Sequence, residues 1–119
     1  MKKILIVEDD QKIALALQVR LKANRYKVSV ASDAIVGASL GRTVKPDLIL
    51  LDISMPAGNG FSVAEKIQTL IPTPIPIIFL TASKKPDFRE KAKKLGAAGY
   101  FEKPYEAEEL FGAIRQALA

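Results

Sequence analysis

The sequence predicts an α/β protein, a doubly wound, five-stranded parallel sheet with helices on both faces. Three observations carry this. Apolar runs of strand length recur five times and alternate with segments of helical spacing, the pattern of strand–helix units in a parallel sheet. The run Leu48-Ile49-Leu50-Leu51 is apolar throughout rather than alternating, as a strand covered on both faces requires. Cap and turn residues such as Asp10, Asp33, Pro72, Pro74 and Gly96 fall between the runs or at their ends.

In chain order the strands are read at Ile4 to Val7, Val28 to Ala31, Leu48 to Leu51, Ile75 to Leu80 and Gly99 to Phe101. The first helix carries Ile13, Leu15, Leu17, Val19 and Leu21 and closes near Asn24; the others run over Asp33 to Thr43, Phe61 to Leu70, Asp87 to Leu95 and Ala107 to Leu118. Asp10 and Asp33 stand where a side chain would cap a helix start, and Gly96 follows the fourth helix where a glycine favours its end. Pro72, Pro74 and Pro76 stop the third helix and stiffen the approach to the fourth strand.

At 119 residues the chain has a common single-domain length, so residues 1–119 are expected to form one domain with a radius of gyration of about 13–14 Å. A hydrophobic share of 49% with 26% charged residues is that of an ordinary globular protein and argues against a disordered chain. Met1-Lys2-Lys3 precedes an apolar run too short for a secretion signal, and no run reaches membrane-spanning length, so a cytoplasmic protein without a membrane partner is expected. Cysteine and histidine are both absent, which removes disulfides, the usual zinc sites, thiol nucleophiles and histidine triads. The net charge of +5 is spread along the chain among acids, so the lysines read as solvated surface and no nucleic-acid binding is expected from this domain.

Open parallel sheets place ligands beyond the carboxyl ends of their strands. Glu8, Asp9 and Asp10 follow the first strand, Asp52 ends the third, Thr81 the fourth, and Lys103-Pro104 the fifth. Asp10 is explained by capping alone. An acid closing a wholly apolar strand is not: stability gives no reason for Asp52. Three neighbouring carboxylates need a proton or a cation among them, and Mg²⁺ suits carboxylate, water and phosphate oxygens. Asp52 is thus a candidate nucleophile toward phosphorus, with Lys103 and the Thr81 hydroxyl placed to neutralise the transferred group. Taken singly, Lys103 reads as a surface lysine and Thr81 as a strand residue; their joint appearance at successive strand ends favours function.

The stretches Ile4 to Asp10, Pro46 to Pro56, Phe79-Leu80-Thr81-Ala82 and Tyr100 to Pro104 resemble, in order and spacing, the response-regulator receiver domain of two-component signalling. The resemblance covers essentially the whole chain. It implies a flavodoxin-like fold of strand order 2-1-3-4-5. It further implies Asp52 as phosphoacceptor, and Mg²⁺ (Mn²⁺ as substitute) held by Glu8, Asp9, Asp52 and the main-chain carbonyl of Ser54. Thr81 and Lys103 are the implied phosphate contacts, Tyr100 the switch aromatic, and Lys103-Pro104 a cis peptide. The implied donor is a phosphohistidine on a sensor histidine kinase or a histidine phosphotransfer protein. Output is implied through the face of helix four, strand five and helix five. Self-catalysed phosphorylation and dephosphorylation, without a released substrate, make such a protein a switch and not an enzyme; Ser54 and Ser83 are expected to tune the return step.

The loop Ala57-Gly58-Asn59-Gly60 departs from the family's usual Gly-x-Asp-Gly, and Ala98-Gly99 replaces the paired acids that many DNA-binding members carry before the switch aromatic. No effector domain follows the last helix, so a stand-alone receiver or a piece of a longer regulator is expected. The basic stretch Ser83 to Lys94, in the family's output region, is expected to meet an acidic partner surface through residues such as Lys91 and Lys94, or else to be a solvated helix face. A flavin carrier shares the element order, but three acids after the first strand would repel the flavin phosphate. A phosphatase working through an aspartyl phosphate commonly needs a second acid two residues after its nucleophile, where Ser54 stands.

Overall fold

A computed structural model describes residues 1–53, 60–71 and 73–119. The elements are β1 (Lys3–Val7), α1 (Gln11–Ala23), β2 (Lys27–Ala31), α2 (Ala34–Thr43), β3 (Leu48–Asp52), α3 (Gly60–Leu70), β4 (Ile77–Thr81), α4 (Pro86–Lys94), β5 (Gly99–Glu102) and α5 (Ala107–Leu118). The strands form one parallel sheet in the order β2-β1-β3-β4-β5, as the family resemblance implied. Its radius of gyration is 12.8 Å.

Two apolar cores lie on the two faces. α1 and α5 cover one through Leu17, Leu21, Leu110 and Ile114, packed on Ile4, Ile6, Leu48 and Leu50. α2, α3 and α4 cover the other through Ala34, Phe61, Ile67 and Ala92, packed on Leu5, Val7, Ile49 and Leu51. Alternate residues of β1 and β3 feed opposite cores, which is why those strands read as unbroken apolar runs. β3 and β4 are buried along their whole length, whereas the edge strand β5 is half-buried throughout.

Strand and helix ends move by a residue or two. The fourth strand starts at Ile77 rather than Ile75, because the chain before it is proline-broken and its first ladder bond runs from the Ile49 N–H to the Pro76 carbonyl at 3.0 Å. Asp10 accepts from the Lys12 and Ile13 N–H groups at 2.9 and 3.1 Å, and Asp33 from Val36 at 2.8 Å, so both caps stand. Gly96 closes α4 with φ +74°, the left-handed conformation glycine adopts without strain. The first helix turns differently from its sequence reading: Ala14, Leu17 and Leu21 are its buried positions, and Leu15 and Val19 are each 60% exposed. Alternate residues cannot share one helical face, whereas spacings of three and four can. Pro72 lies outside the described residues.

Candidate functional site

The carboxyl ends of β1 and β3 are neighbours because the sheet pairs Val7 with Leu51. The Glu8 N–H donates to the Ala31 carbonyl at 3.0 Å, which extends the ladder to β2 by one residue and points Glu8 into the structure, 2% exposed. Asp9 is exposed as the chain leaves the sheet, and the Asp10 N–H donates to Glu8 Oε2 at 3.3 Å. Asp52 closes β3 at 5% exposure, fixed beside Leu80 of β4.

The backbone just after Asp52 is clamped by the start of α3. The Gly60 N–H donates to the Ile53 carbonyl at 2.8 Å. A Cβ at Gly60 would lie 2.7 Å from the Asp52 carbonyl oxygen and 2.9 Å from the Ile53 Cα, so the approach requires glycine.

Glu8, Asp9 and Asp52 each offer a carboxylate oxygen, and these oxygens lie within 4.8 Å of one another. At that distance two ionised carboxylates repel by about 3.5 kcal/mol at an effective dielectric near 20. Part of the repulsion is met by Lys103, whose Nζ is 2.9 Å from Glu8 Oε1 and 3.6 Å from Asp52 Oδ2. Burial first, then the hydrogen bond and charge of Asp52, raise the Glu8 pKa against the opposing pull of Lys103. Burial works to lower the Lys103 pKa, but the Glu8 hydrogen bond and the charges of Asp52 and Glu8 outweigh it and raise the value. Lys103 is therefore a cation here. When all are ionised, three carboxylates and one ammonium carry two negative charges, the complement of one hard divalent cation with oxygen ligands.

Thr81 stands one step beyond Leu80, the residue paired with Asp52, and is fully buried. Its Oγ1 accepts the Ser83 N–H at 3.0 Å and its carbonyl accepts the Lys103 N–H at 2.7 Å, which ties the ends of β4 and β5 together. The Lys103-Pro104 peptide is cis. The sequence-derived set Glu8, Asp9, Asp52 and Lys103 thus converges; Thr81 follows on the neighbouring strand, and Ser54 lies outside the described residues.

Tyr100 sits on β5 opposite Phe79 and packs at the margin of the core beneath α2, α3 and α4. Its hydroxyl is buried without a hydrogen-bond partner among the described residues. Burial first, then the Glu102 charge, raise its pKa, with Arg89 opposing. The Arg89 guanidinium lies 4.7 Å from the ring centroid and 3.6 Å from Glu102 Oε1. Sequence reasoning missed Arg89, Glu102 and the clamp at Gly60, since each acts across elements that only the fold brings together.

A family model described as the response regulator receiver domain matches residues 4–115. The chain belongs to that family. Among relatives, the receiver aligns with the transcriptional regulatory protein DltR of Streptococcus agalactiae, 39% identical over 95% of this chain and 50% of that protein. It aligns likewise with the DNA-binding dual master transcriptional regulator RpaA of a Synechocystis strain, 34% identical over 99% of this chain and 49% of the other. The receiver spans about half the length of these curated relatives. Among solved structures, the non-phosphorylated HemR receiver domain of Leptospira biflexa superposes with a TM-score of 0.92 at 33% identity, covering 100% of this chain and 95% of that one. A CheY-like receiver domain from Methanospirillum hungatei gives 0.93 at 29% identity, covering 99% and 94%. Receiver domains of this family act in two-component signalling as phosphoacceptor switches rather than enzymes, and bind Mg²⁺ at an acidic pocket. Among the described residues, no helix is long and apolar enough to cross a membrane.

Proposed function

We propose that residues 1–119 act as one receiver domain that takes a phosphoryl group onto Asp52 and uses it to control an output partner. The observation that carries this reading is a buried acid at the end of an apolar strand, sharing a pocket with Glu8 and Asp9 and reached by Lys103. A carboxylate oxygen of Asp52 forms the new bond to phosphorus while the P–N bond of a phosphohistidine, on a separate sensor kinase or phosphotransfer protein, breaks. The freed imidazole keeps the electron pair and takes a proton. Attack of water on phosphorus later returns the carboxylate and releases phosphate.

Glu8, Asp9, Asp52 and the Ser54 carbonyl would hold Mg²⁺, or Mn²⁺ in its place, which when bound supplies positive charge opposite the phosphoryl oxygens. Lys103 is placed to move from its carboxylate contacts to the incoming group, a charge-for-charge exchange. The Thr81 hydroxyl, now accepting from the Ser83 backbone, donates to the phosphoryl group and leaves room beside β4 into which Tyr100 turns. The face of α4, β5 and α5 then presents a different surface to the output partner, with Lys91 and Lys94 toward an acidic one. Ser54 and Ser83 tune the rate of this hydrolysis.

Incubation with acetyl phosphate and Mg²⁺, followed by intact mass measurement, tests the reading. Wild type gains the mass of one phosphoryl group and Asp52→Asn gains none; equal gain in both would end it.

A further inference from the structure

Lysines and arginines that look dispersed in the sequence meet at one end of the fold. In a sheet of this kind every strand starts, and every helix ends, at the face opposite the phosphorylation site. The register places Lys3 beside Lys27 at the strand starts. Lys22 and Arg25 lie at the end of α1, on one face of the sheet, and Arg42 and Lys45 at the end of α2, on the other. These six exposed cations form a band crossing the sheet end from one helical layer to the other. None of them makes an ion pair among the described residues. Asp47 is the acid at this end, and its carboxylate is already engaged by the Lys3 backbone N–H at 2.7 Å.

Complementing helix dipoles accounts for Lys22 and Arg42, which sit in last helical turns. It does not account for Lys3 and Lys27 at strand starts. Nor does it account for Arg25 at φ 68° and Lys45 at φ 53°, left-handed positions where glycine or asparagine is the cheaper choice. Cations occupy the two turn positions that bracket the band.

We infer that this band is a sequence-independent docking surface for the phosphodiester backbone of duplex nucleic acid. Charge complementarity carries the assignment. Phosphates recur about every 3.4 Å along one strand, so a molecule of 33 × 31 × 27 Å spans several of them with one end. An anionic bilayer is the poorer partner: of the larger apolar side chains at this end, Met1 and Leu70 project from different elements and Tyr26 and Ile71 are half-buried, short of the continuous apolar face that insertion needs. The acids of the phosphorylation site stay at the far end, away from the polyanion, so both sites are usable together. This inference stands apart from the phosphoacceptor reading.

The test is fluorescence anisotropy of a mixed-sequence 20-base-pair duplex, titrated with wild type, a band triple variant (Lys22→Gln, Lys27→Gln, Arg42→Gln) and a control triple (Lys12→Gln, Lys84→Gln, Lys85→Gln). The two triples lose the same charge, the control at the phosphorylation end, and circular dichroism with thermal melts checks that all three proteins fold. Wild type is expected to give a slope of log affinity against log salt between about −4 and −5, since six neutralised phosphates allow at most about −5.4. The band triple flattens the slope by about 2.7, whereas the control moves it by less than about 0.5. Equal losses in both triples would reduce the effect to net charge and overturn the inference. So would wild-type binding weaker than about 1 mM at 50 mM salt, below the ordinary non-specific range. Flotation of wild type with phosphatidylglycerol vesicles at 0.15 M salt, with the duplex left unbound, would assign the band to a membrane instead.

Discussion

β4 and β5 are adjacent, parallel and of nearly equal length, yet they are built for different work. β4 is buried at every position, its Phe79 ring packed 5.3 Å from Phe61, and it carries Thr81 as its one polar residue, at the end that meets the site. β5 is half-buried at every position, and its Tyr100 is covered by the partly solvated pair Arg89 and Glu102. A strand packed on both faces cannot move without opening a void, so it can hold Asp52 and Thr81 in fixed register. A half-covered edge strand can change a side-chain position at low cost. On the proposed function, the contrast separates the part that holds chemistry from the part that reports it.

The largest effect expected from that contrast is on β4. Phe79→Ala should cost about 3–5 kcal/mol, because it empties a fully buried ring site; urea denaturation measures it, and a loss below about 1.5 kcal/mol would mean the strand is not the rigid element described. Gly60→Ala comes next. Its Cβ would press on the Asp52 carbonyl, so a loss of about 1–3 kcal/mol is expected, with phosphorylation from acetyl phosphate slowed more than tenfold. An unchanged phosphorylation rate would show that the clamp does not position the acid.

On β5 the sign reverses. Tyr100→Phe removes a buried hydroxyl that lacks a partner among the described residues, so the unphosphorylated form should gain about 1 kcal/mol. A loss of stability by the same denaturation experiment would mean that the hydroxyl is satisfied in solution.

The smallest effect is a slope. Glu8 has a folded-state pKa above its usual value, so the native state binds its proton more tightly than the unfolded chain does. Its contribution is fully present below the ordinary glutamate range and is lost as pH rises through the raised value. Thermal midpoints of metal-free protein should therefore decline across that window. Glu8→Gln should flatten the decline, and Mg²⁺ should offset it in wild type. A wild-type profile as flat as that of the variant would remove Glu8 from the account.

Much was legible from the chain alone. Leu48 to Leu51 reads as a strand covered on both faces, Asp10 and Asp33 as helix starts, and the polar residues at strand ends single out Glu8, Asp9, Asp52, Thr81 and Lys103. These signals are local: period, caps and interruptions of apolar runs are properties of neighbouring residues. The buried face of α1 was misread because Leu15 and Val19 are apolar yet exposed, and composition does not say which side of a helix meets the sheet.

What the tertiary structure alone decided is distance between segments far apart in sequence. Lys103 reaches Glu8 across 95 positions, Arg89 covers Tyr100 from a different element, Gly60 closes on the Asp52 carbonyl, and lysines scattered along the chain assemble into one band. Strand order and register set those neighbours, and they arise from burying many apolar side chains at once. A linear pattern therefore named the groups, and the packed sheet determined which of them share a charge, a contact or a face.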